Sequence, residues 1–190
     1  MKTNLKLAQK HGELAGKYLN LIQVTGWKLG LGKFFNCFPA LFGKTMVLDF
    51  SRREAKAPAQ LPLVYYPQGD VLYCTAFGSV QPDWYLSVIA NPQVEVWLPD
   101  GWYTGKAELV EDEEERAEIL SKLIQNGGAS ASVWKKINWV DMDEDMGAEL
   151  PLLRIKRQSP CTGAEGPGSL AWLWPFFFFL FLFRPRRRRK

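Results

Sequence analysis

The sequence predicts an α+β fold, in which a small antiparallel β-barrel with short flanking helices is followed by an apolar C-terminal tail. Between Thr45 and Arg157, short runs rich in β-branched and aromatic residues alternate with turn residues, as in sheets built from hairpins. Neither a dinucleotide-binding nor a P-loop glycine motif occurs, so a parallel α/β fold is disfavoured. The last residues, 170–190, join an uncharged apolar run to a polybasic end.

The length and charge distribution restrict the class of protein. The chain has 190 residues and is 47% hydrophobic, enough for one domain with appended segments. Its net charge of +4 comes from the ends, because residues 1–33 hold six Lys and one Glu, and residues 184–190 hold six basic residues. The middle is acidic. This pattern argues against a nucleic-acid-binding core and favours ends that meet an anionic surface such as a membrane.

Cysteine and histidine usage excludes several kinds of site. Cys37, Cys74 and Cys161 have no paired spacing, and His11 is the single histidine. We therefore expect no disulfide framework, no metal site and no histidine-dependent triad. A reducing cytosol fits this usage, and no apolar signal-peptide segment follows Met1.

The N-terminal segment, residues 1–44, is predicted to be helical. Apolar positions recur at spacings of three and four, which is typical of an amphipathic helix. These positions are Leu7, His11, Leu14, Tyr18 and Ile22. Packing against its own domain and lying on a bilayer both remain open for this helix. A second short apolar stretch, "FFNCFPALF", precedes the β region.

Six runs are predicted to be strands, namely "TMVLDF", "LPLVYY", "VLYCTAF", "QVEVWLP", "WYTGKAELV" and "ELPLLRIKR". The sequences "PQGD" at 67–70 and "PDG" at 99–101 are typical of chain reversals. In "VEVWL", Val94 alternates with Glu95 and Trp97, which predicts a half-buried strand. Such strands avoid exposed edges by closing into a barrel.

Two helices are predicted between the strands. The first covers residues 83–90 and ends at Asn91-Pro92. The second covers Asp112 to Gln125, where Asp112 and Glu115 have capping-box spacing and Glu118 precedes Lys122 by four residues. The Asn-Gly-Gly sequence at 126–128 is predicted to stop this helix.

The stretch "PDWYLSVIANPQVEVWLPDG" resembles the deazaflavin-dependent nitroreductase family, also called the coenzyme F-420-dependent quinone reductase family. The most specific part is a Trp-Tyr helix that ends in Ala-Asn-Pro and is followed by Val-x-Val. The resemblance extends over roughly Val47 to Arg157. It implies a split β-barrel in which reduced deazaflavin (coenzyme F-420) lies in a groove beside the 83–90 helix and passes hydride to a small-molecule quinone or nitro-type acceptor.

The resemblance also implies a set of cofactor-binding residues: Ser51, Arg52, Arg53, Lys56, Pro62, Leu63, Ala76, Phe77, Gly78, Ser79, Trp84 and Tyr85. For Trp84 and Tyr85, a role as core aromatics remains an alternative. No catalytic residue and no metal ligand is assigned. A homodimer is a further expectation.

The loop "SRREAKAPAQ" departs from the family pattern. Arg53 matches the family's loop arginine, but Glu54, Ala55 and Lys56 stand where a lysine, a serine and a glycine are usual, and Ala59 replaces a later arginine. Fewer cations therefore face the cofactor's anionic groups. Two functions stay open. One is a deazaflavin-dependent reductase, and the other is a non-catalytic, membrane-attached split-barrel protein that has lost tight deazaflavin binding and holds another flavin such as FMN, a lipid or nothing.

The C-terminal part is predicted as a linker, 159–169, and a membrane-attachment tail, 170–190, after a barrel domain, 45–158. The apolar run "LAWLWPFFFFLFLF" would span about 21 Å as a helix, less than the roughly 30 Å hydrocarbon core. We therefore expect shallow attachment to membrane lipids on the cytoplasmic side, with the "RPRRRRK" end at anionic headgroups. Packing on the barrel and a short span in a thinned bilayer are the alternatives.

Overall fold

The structure, a computed structural model, describes residues 17–52, 58–75, 83–128 and 152–182. The first three helices are α1 (residues 17–28), α2 (Gly32–Cys37) and α3 (Pro39–Phe42). The central elements are β1 (Thr45–Ser51), β2 (Pro58–Gln68), β3 (Val71–Thr75), α4 (Asp83–Ala90), β4 (Gln93–Leu98), β5 (Gly101–Leu109), α5 (Glu113–Asn126) and β6 (Leu153–Pro160). A 3-10 turn (Ala171–Leu173) and α6 (Trp174–Leu182) follow.

Six strands form a closed barrel in the order β1-β2-β3-β6-β5-β4, and all neighbours are antiparallel. The predicted α+β fold with an antiparallel barrel and short helices is thereby confirmed. Side chains alternate between the interior and the outer wall, as the pleat of a strand requires. The interior is filled by one apolar cluster that includes Met46, Leu48, Leu63, Val96 and Ile155.

The two predicted chain reversals are present at one end of the barrel. Between β2 and β3, Gly69 has a φ of 62°, a left-handed conformation that glycine adopts without steric cost. Pro99 and Asp100 form the turn between β4 and β5. Short turns of this kind fix the register of each hairpin.

Helix α5 covers one part of the outer wall. Its Ile119, Leu120 and Leu123 pack against a group on the barrel that includes Tyr73. The Asp112 side chain accepts a hydrogen bond from the Glu115 backbone N–H at 2.8 Å, so the predicted N-cap is confirmed. The Glu115 carboxylate accepts a hydrogen bond from the Tyr73 hydroxyl at 2.6 Å, which ties the helix to β3.

Helix α1 covers another part of the outer wall. Its Val24 and Trp27 pack against Val47 of β1 and Trp97 of β4. Trp97 is fully buried, so the prediction that β4 is only half-buried was wrong, although its alternation was correct. The reason is that α1 shields the face that alternation alone leaves open to water.

The segment after β6 is hydrogen-bonded to the body of the protein. The backbone N–H of Cys161 donates to Trp102 O at 2.8 Å, and that of Gly168 donates to Trp27 O at 3.0 Å. Residues 159 and 160 belong to β6 itself. No helix in the part of the chain that the structure describes is both long enough and apolar enough to cross a membrane.

Candidate functional site

The barrel topology brings Ser51 and helix α4, which belong to two of the predicted cofactor-binding segments, to the same end. Because every neighbouring pair is antiparallel, the ends of β1, β3 and β5 lie beside the starts of β2, β4 and β6. Ser51 at the end of β1 pairs with Pro58 at the start of β2. Helix α4 leads directly into β4 at the same end, which we call the α4 end.

Helix α4 closes this end of the barrel with one of its faces. Trp84, Ser87 and Val88 are buried at spacings of three and four, whereas Leu86 and Ile89 are exposed. Trp84 and Val88 join the interior cluster, and Tyr85 packs against its edge. The Trp84 and Tyr85 rings meet edge to face, with centroids 6.3 Å apart. The apolar face of α4 therefore keeps water out of the barrel at this end.

The Asn-Pro sequence ends α4 as predicted. The backbone N–H of Asn91 donates to Ser87 O at 3.0 Å, which completes the last helical turn. Pro92 has no N–H of its own, but its carbonyl accepts a hydrogen bond from Ala107 of β5 at 2.8 Å. The chain is thus redirected from helix to sheet within two residues.

The predicted cofactor-binding residues occupy different environments. Ser51 and Arg52 are exposed at the α4 end, and Arg52 forms no ion pair with any described residue. The side chains of Leu63 and Trp84 lie in the barrel core, where they fill space between strands. The remaining predicted members either show partial exposure, as for Pro62 and Tyr85, or lie outside the described residues, as for Arg53, Lys56, Ala76, Phe77, Gly78 and Ser79.

A pair of carboxylates lies on the outer wall on the side of α1. Asp49 of β1 is opposite Glu95 of β4, and Gln60 donates a hydrogen bond to Asp49 at 2.8 Å. Burial raises the pKa of Asp49, a repulsion from Glu165 adds to the rise, and the Gln60 bond and Lys28 oppose it. Glu95 accepts a hydrogen bond from the Trp102 indole at 2.9 Å. The prediction did not include these residues, although both alternate outward in their strands.

Nucleophilic and metal-based chemistry has no support in the described part of the chain. Burial raises the pKa of the Cys74 thiol well above its ordinary value, so this cysteine stays protonated. No group of three or more His, Cys, Asp or Glu side chains that could hold a metal ion occurs among residues 17–52, 58–75, 83–128 and 152–182.

Comparison with protein families decides the relationship. The family model described as F420H(2)-dependent quinone reductase matches residues 14–136. The chain belongs to this family. Its members are reductases that use reduced coenzyme F-420, so the predicted family and its oxidoreductase class are confirmed. The match begins before Val47 and includes α1, α2 and α3, whereas the C-terminal tail lies beyond it.

Solved structures with similar folds are distant in sequence. The F420-H2-dependent reductase FDR-A shares 19% identity over 61% of this chain and 96% of its own, with a TM-score of 0.43. HutZ, the heme storage protein from Vibrio cholerae, shares 14% over 69% and 88%, with a TM-score of 0.44. A third structure, described as a domain-swapped dimer, shares 19% over 60% and 81%, with a TM-score of 0.43. None of the curated proteins matches the chain.

Proposed function

We propose that this protein transfers hydride from reduced coenzyme F-420 to a lipophilic quinone or nitro-type acceptor. The observation that carries the proposal is the family match, which extends over residues 14–136 and therefore includes both segments predicted to bind the cofactor. The acceptor class follows from the family description, which names quinone reduction.

The residues at the α4 end suit an anionic deazaflavin. The exposed Arg52 offers a guanidinium, and Arg53 and Lys56 follow within four residues in the sequence. These cations and Ser51 would hold the phosphate and polyglutamate groups. When bound, the deazaflavin supplies the hydride chemistry. The chain itself contributes orientation along α4 and, through buried Trp84 and Val88, a dry wall.

A non-catalytic role is the second candidate. Ala59, at the position of a family arginine, lies buried in the interior cluster and supplies no cation. Glu54 adds a negative charge to the same loop. Both observations favour weaker anion binding, so a split-barrel protein that holds FMN or no cofactor is the alternative.

We also propose a location and an assembly. The apolar C-terminal run and the basic end of the sequence, together with a lipophilic acceptor, support a location on the cytoplasmic side of the membrane. Homodimerisation and the absence of nucleic-acid partners remain predictions from the sequence. Membrane lipids would be contacted through residues 170–190.

The first test is a fluorescence titration of the full chain with coenzyme F-420 at low and moderate salt. We expect saturable binding that weakens with salt, because exposed cations meet an anionic ligand. Arg52→Glu and Arg53→Glu should each weaken binding about tenfold or more at low salt. Lys156→Glu makes the same charge change at an exposed position of β6 and serves as the matched control.

A second experiment tests whether the protein uses reduced coenzyme F-420 in a reaction. Reduced coenzyme F-420 is mixed with a short-chain quinone or a nitroaromatic compound, and its oxidation is followed by absorbance. Acceptor-dependent oxidation supports the reductase. A folded protein that binds no F-420 but binds FMN, or neither, establishes the non-catalytic alternative.

A further inference from the structure

The two terminal regions expose an unusual number of large apolar side chains. Each is at least 46% exposed. They are Tyr18, Leu19, Leu21 and Ile22 in α1, Phe34, Phe38 and Leu41 in or beside α2 and α3, and Trp172, Trp174, Phe176, Phe178 and Phe179 near the C-terminus. We call this set the terminal apolar surface. Exposed apolar clusters of this kind mark contacts with another phase or partner.

The structure joins the N-terminal and C-terminal parts of this surface. The Trp174 indole donates a hydrogen bond to Leu29 O at 2.9 Å, and the Leu170 backbone N–H donates to Lys28 O at 2.8 Å. Helix α1 ends at this point, α2 begins four residues later, and α6 begins at Trp174 itself. Three helices that carry exposed apolar side chains therefore start or end at one junction.

The segment that leads to the junction holds α6 in place. Gly163 and Gly166 approach the Trp102 indole so closely that a Cβ at Gly166 would lie 2.3 Å from its ring. The backbone N–H of Gly168 then donates to Trp27 O at 3.0 Å. Because Trp27 is buried against β1 and β4, this hydrogen bond connects the segment before α6 to the barrel.

We propose that α1, α2 and α6 form one composite surface that enters the headgroup region and the adjoining outer hydrocarbon layer of a bilayer rich in anionic lipids. The inference rests on the proposed membrane location and names the lipid class and the elements that contact it. Charge supports the lipid class, because Glu13 is the one acidic residue before Asp49, against seven Lys, and six of the last seven residues are basic.

The composition of α6 favours lipid over a protein partner. Its sequence, "WPFFFFLFL", has no polar residue at any position. A protein groove would cover one face of such a helix and leave the others in water, whereas lipid covers every face. Nine residues span about 14 Å as a helix, roughly half of the hydrocarbon core, so shallow insertion fits this length. Trp172 and Trp174 suit the interface, where indoles are enriched.

The test is co-sedimentation of the full chain with vesicles of phosphatidylcholine, with and without phosphatidylglycerol. One variant carries Ile22→Glu and Phe34→Glu in α1 and α2, and a second carries Phe176→Glu and Phe179→Glu in α6. We expect each to lower the vesicle partition coefficient at least tenfold. The control carries Leu86→Glu and Ile89→Glu, exposed apolar residues of α4, and should bind like the wild type.

The outcomes separate the composite surface from its alternatives. If the α1 and α2 variant binds as the wild type does, the tail alone attaches the protein and the proposal fails. Equal binding to vesicles without anionic lipid overturns the lipid class. If the wild type stays in the supernatant and light scattering shows dimers that the substitutions dissociate, the surface is an interface between copies of the chain.

The F-420 titration is repeated on the wild type, on the α1 and α2 variant and on the α6 variant, but not on the α4 control, because α4 belongs to the proposed cofactor site. Substitutions far from the α4 end should leave the F-420 dissociation constant within about twofold. A variant that no longer binds vesicles but still binds F-420 shows that the substitutions act on the composite surface and not on the cofactor site. If the wild type does not bind F-420, the proposed function fails. The vesicle result still tests the composite surface.

Discussion

Helices α1 and α5 both pack on the outer wall of the barrel but face their surroundings differently. Each buries a few apolar residues, Val24 and Trp27 in α1 and Ile119, Leu120 and Leu123 in α5. On the outside, α5 carries Glu and Lys side chains, including the Glu118–Lys122 ion pair. The outside of α1 carries Tyr18, Leu19, Leu21 and Ile22.

The difference shows that the inner and outer faces of a helix have separate roles. The inner face decides whether the helix stays on the barrel, because burial of apolar area supplies the stabilising free energy. The outer face decides which medium the helix can contact: the charged face of α5 suits water, and the exposed apolar face of α1 is the basis of the proposed contact with lipid. Substitutions on the two inner faces should therefore behave alike, and those on the outer faces should not.

The largest expected effect is on α1. Trp27→Ala should lower the free energy of unfolding by about 3–5 kcal/mol, because it removes a buried indole between α1 and β4. Urea denaturation followed by circular dichroism measures the change. A loss below about 1 kcal/mol would mean that α1 does not stay packed on the barrel in solution.

The equivalent change in α5 is Leu123→Ala. Leu123 is fully buried against the barrel, so we expect a loss of about 2–4 kcal/mol in the free energy of unfolding. Urea denaturation followed by circular dichroism measures this loss as well. Similar losses in the two helices would support equal packing roles, whereas an intact stability for Leu123→Ala would show that α5 contributes little to the fold.

The N-cap of α5 is expected to contribute less to the free energy of unfolding than its buried leucine does. Asp112→Ala should cost about 1 kcal/mol, because the Glu115 backbone N–H loses its side-chain acceptor. Glu111→Ala, one residue earlier and outside the helix, is the matched control and should change stability by less than about 0.5 kcal/mol. Equal effects of the two substitutions would contradict the cap.

The smallest expected effect on stability concerns Asp49, on the part of the barrel's outer wall that lies on the side of α1. Burial raises the pKa of Asp49 in the folded state, so the protonated form is favoured by folding. The stabilisation is complete below the pKa of the unfolded chain and is lost as the pH rises through the folded-state pKa. Asp49→Asn cannot ionise and keeps an acceptor for Gln60.

The difference in melting temperature between Asp49→Asn and the wild type should therefore shift in favour of the variant as the pH rises from acid to neutral. Thermal unfolding at several pH values measures it. A difference that stays constant, or that shifts in favour of the wild type, would show that the folded state does not raise this pKa.

The helix boundaries around the candidate site were predictable from local signals. The stretch that ends in Ala90-Asn91-Pro92 specifies both a helix and its stop, and Asp112 marks the start of α5. Side-chain direction was harder to predict. Leu63 and Trp84 belong to the set predicted to bind the cofactor, and the pleat of β2 and the rotation of α4 turn their side chains into the core, the alternative that the sequence left open for Trp84.

The sequence by itself determined the strands, the turns, the capped helix and the family, because alternation, turn residues and motifs act between near neighbours. The tertiary structure alone decided which outer faces are covered and where the tail lies. Trp97 is buried because α1 packs over it, and Trp174 bonds to Leu29 across a separation of 145 residues. Contacts between residues so far apart leave no periodic pattern in the sequence, because they depend on how the whole chain packs.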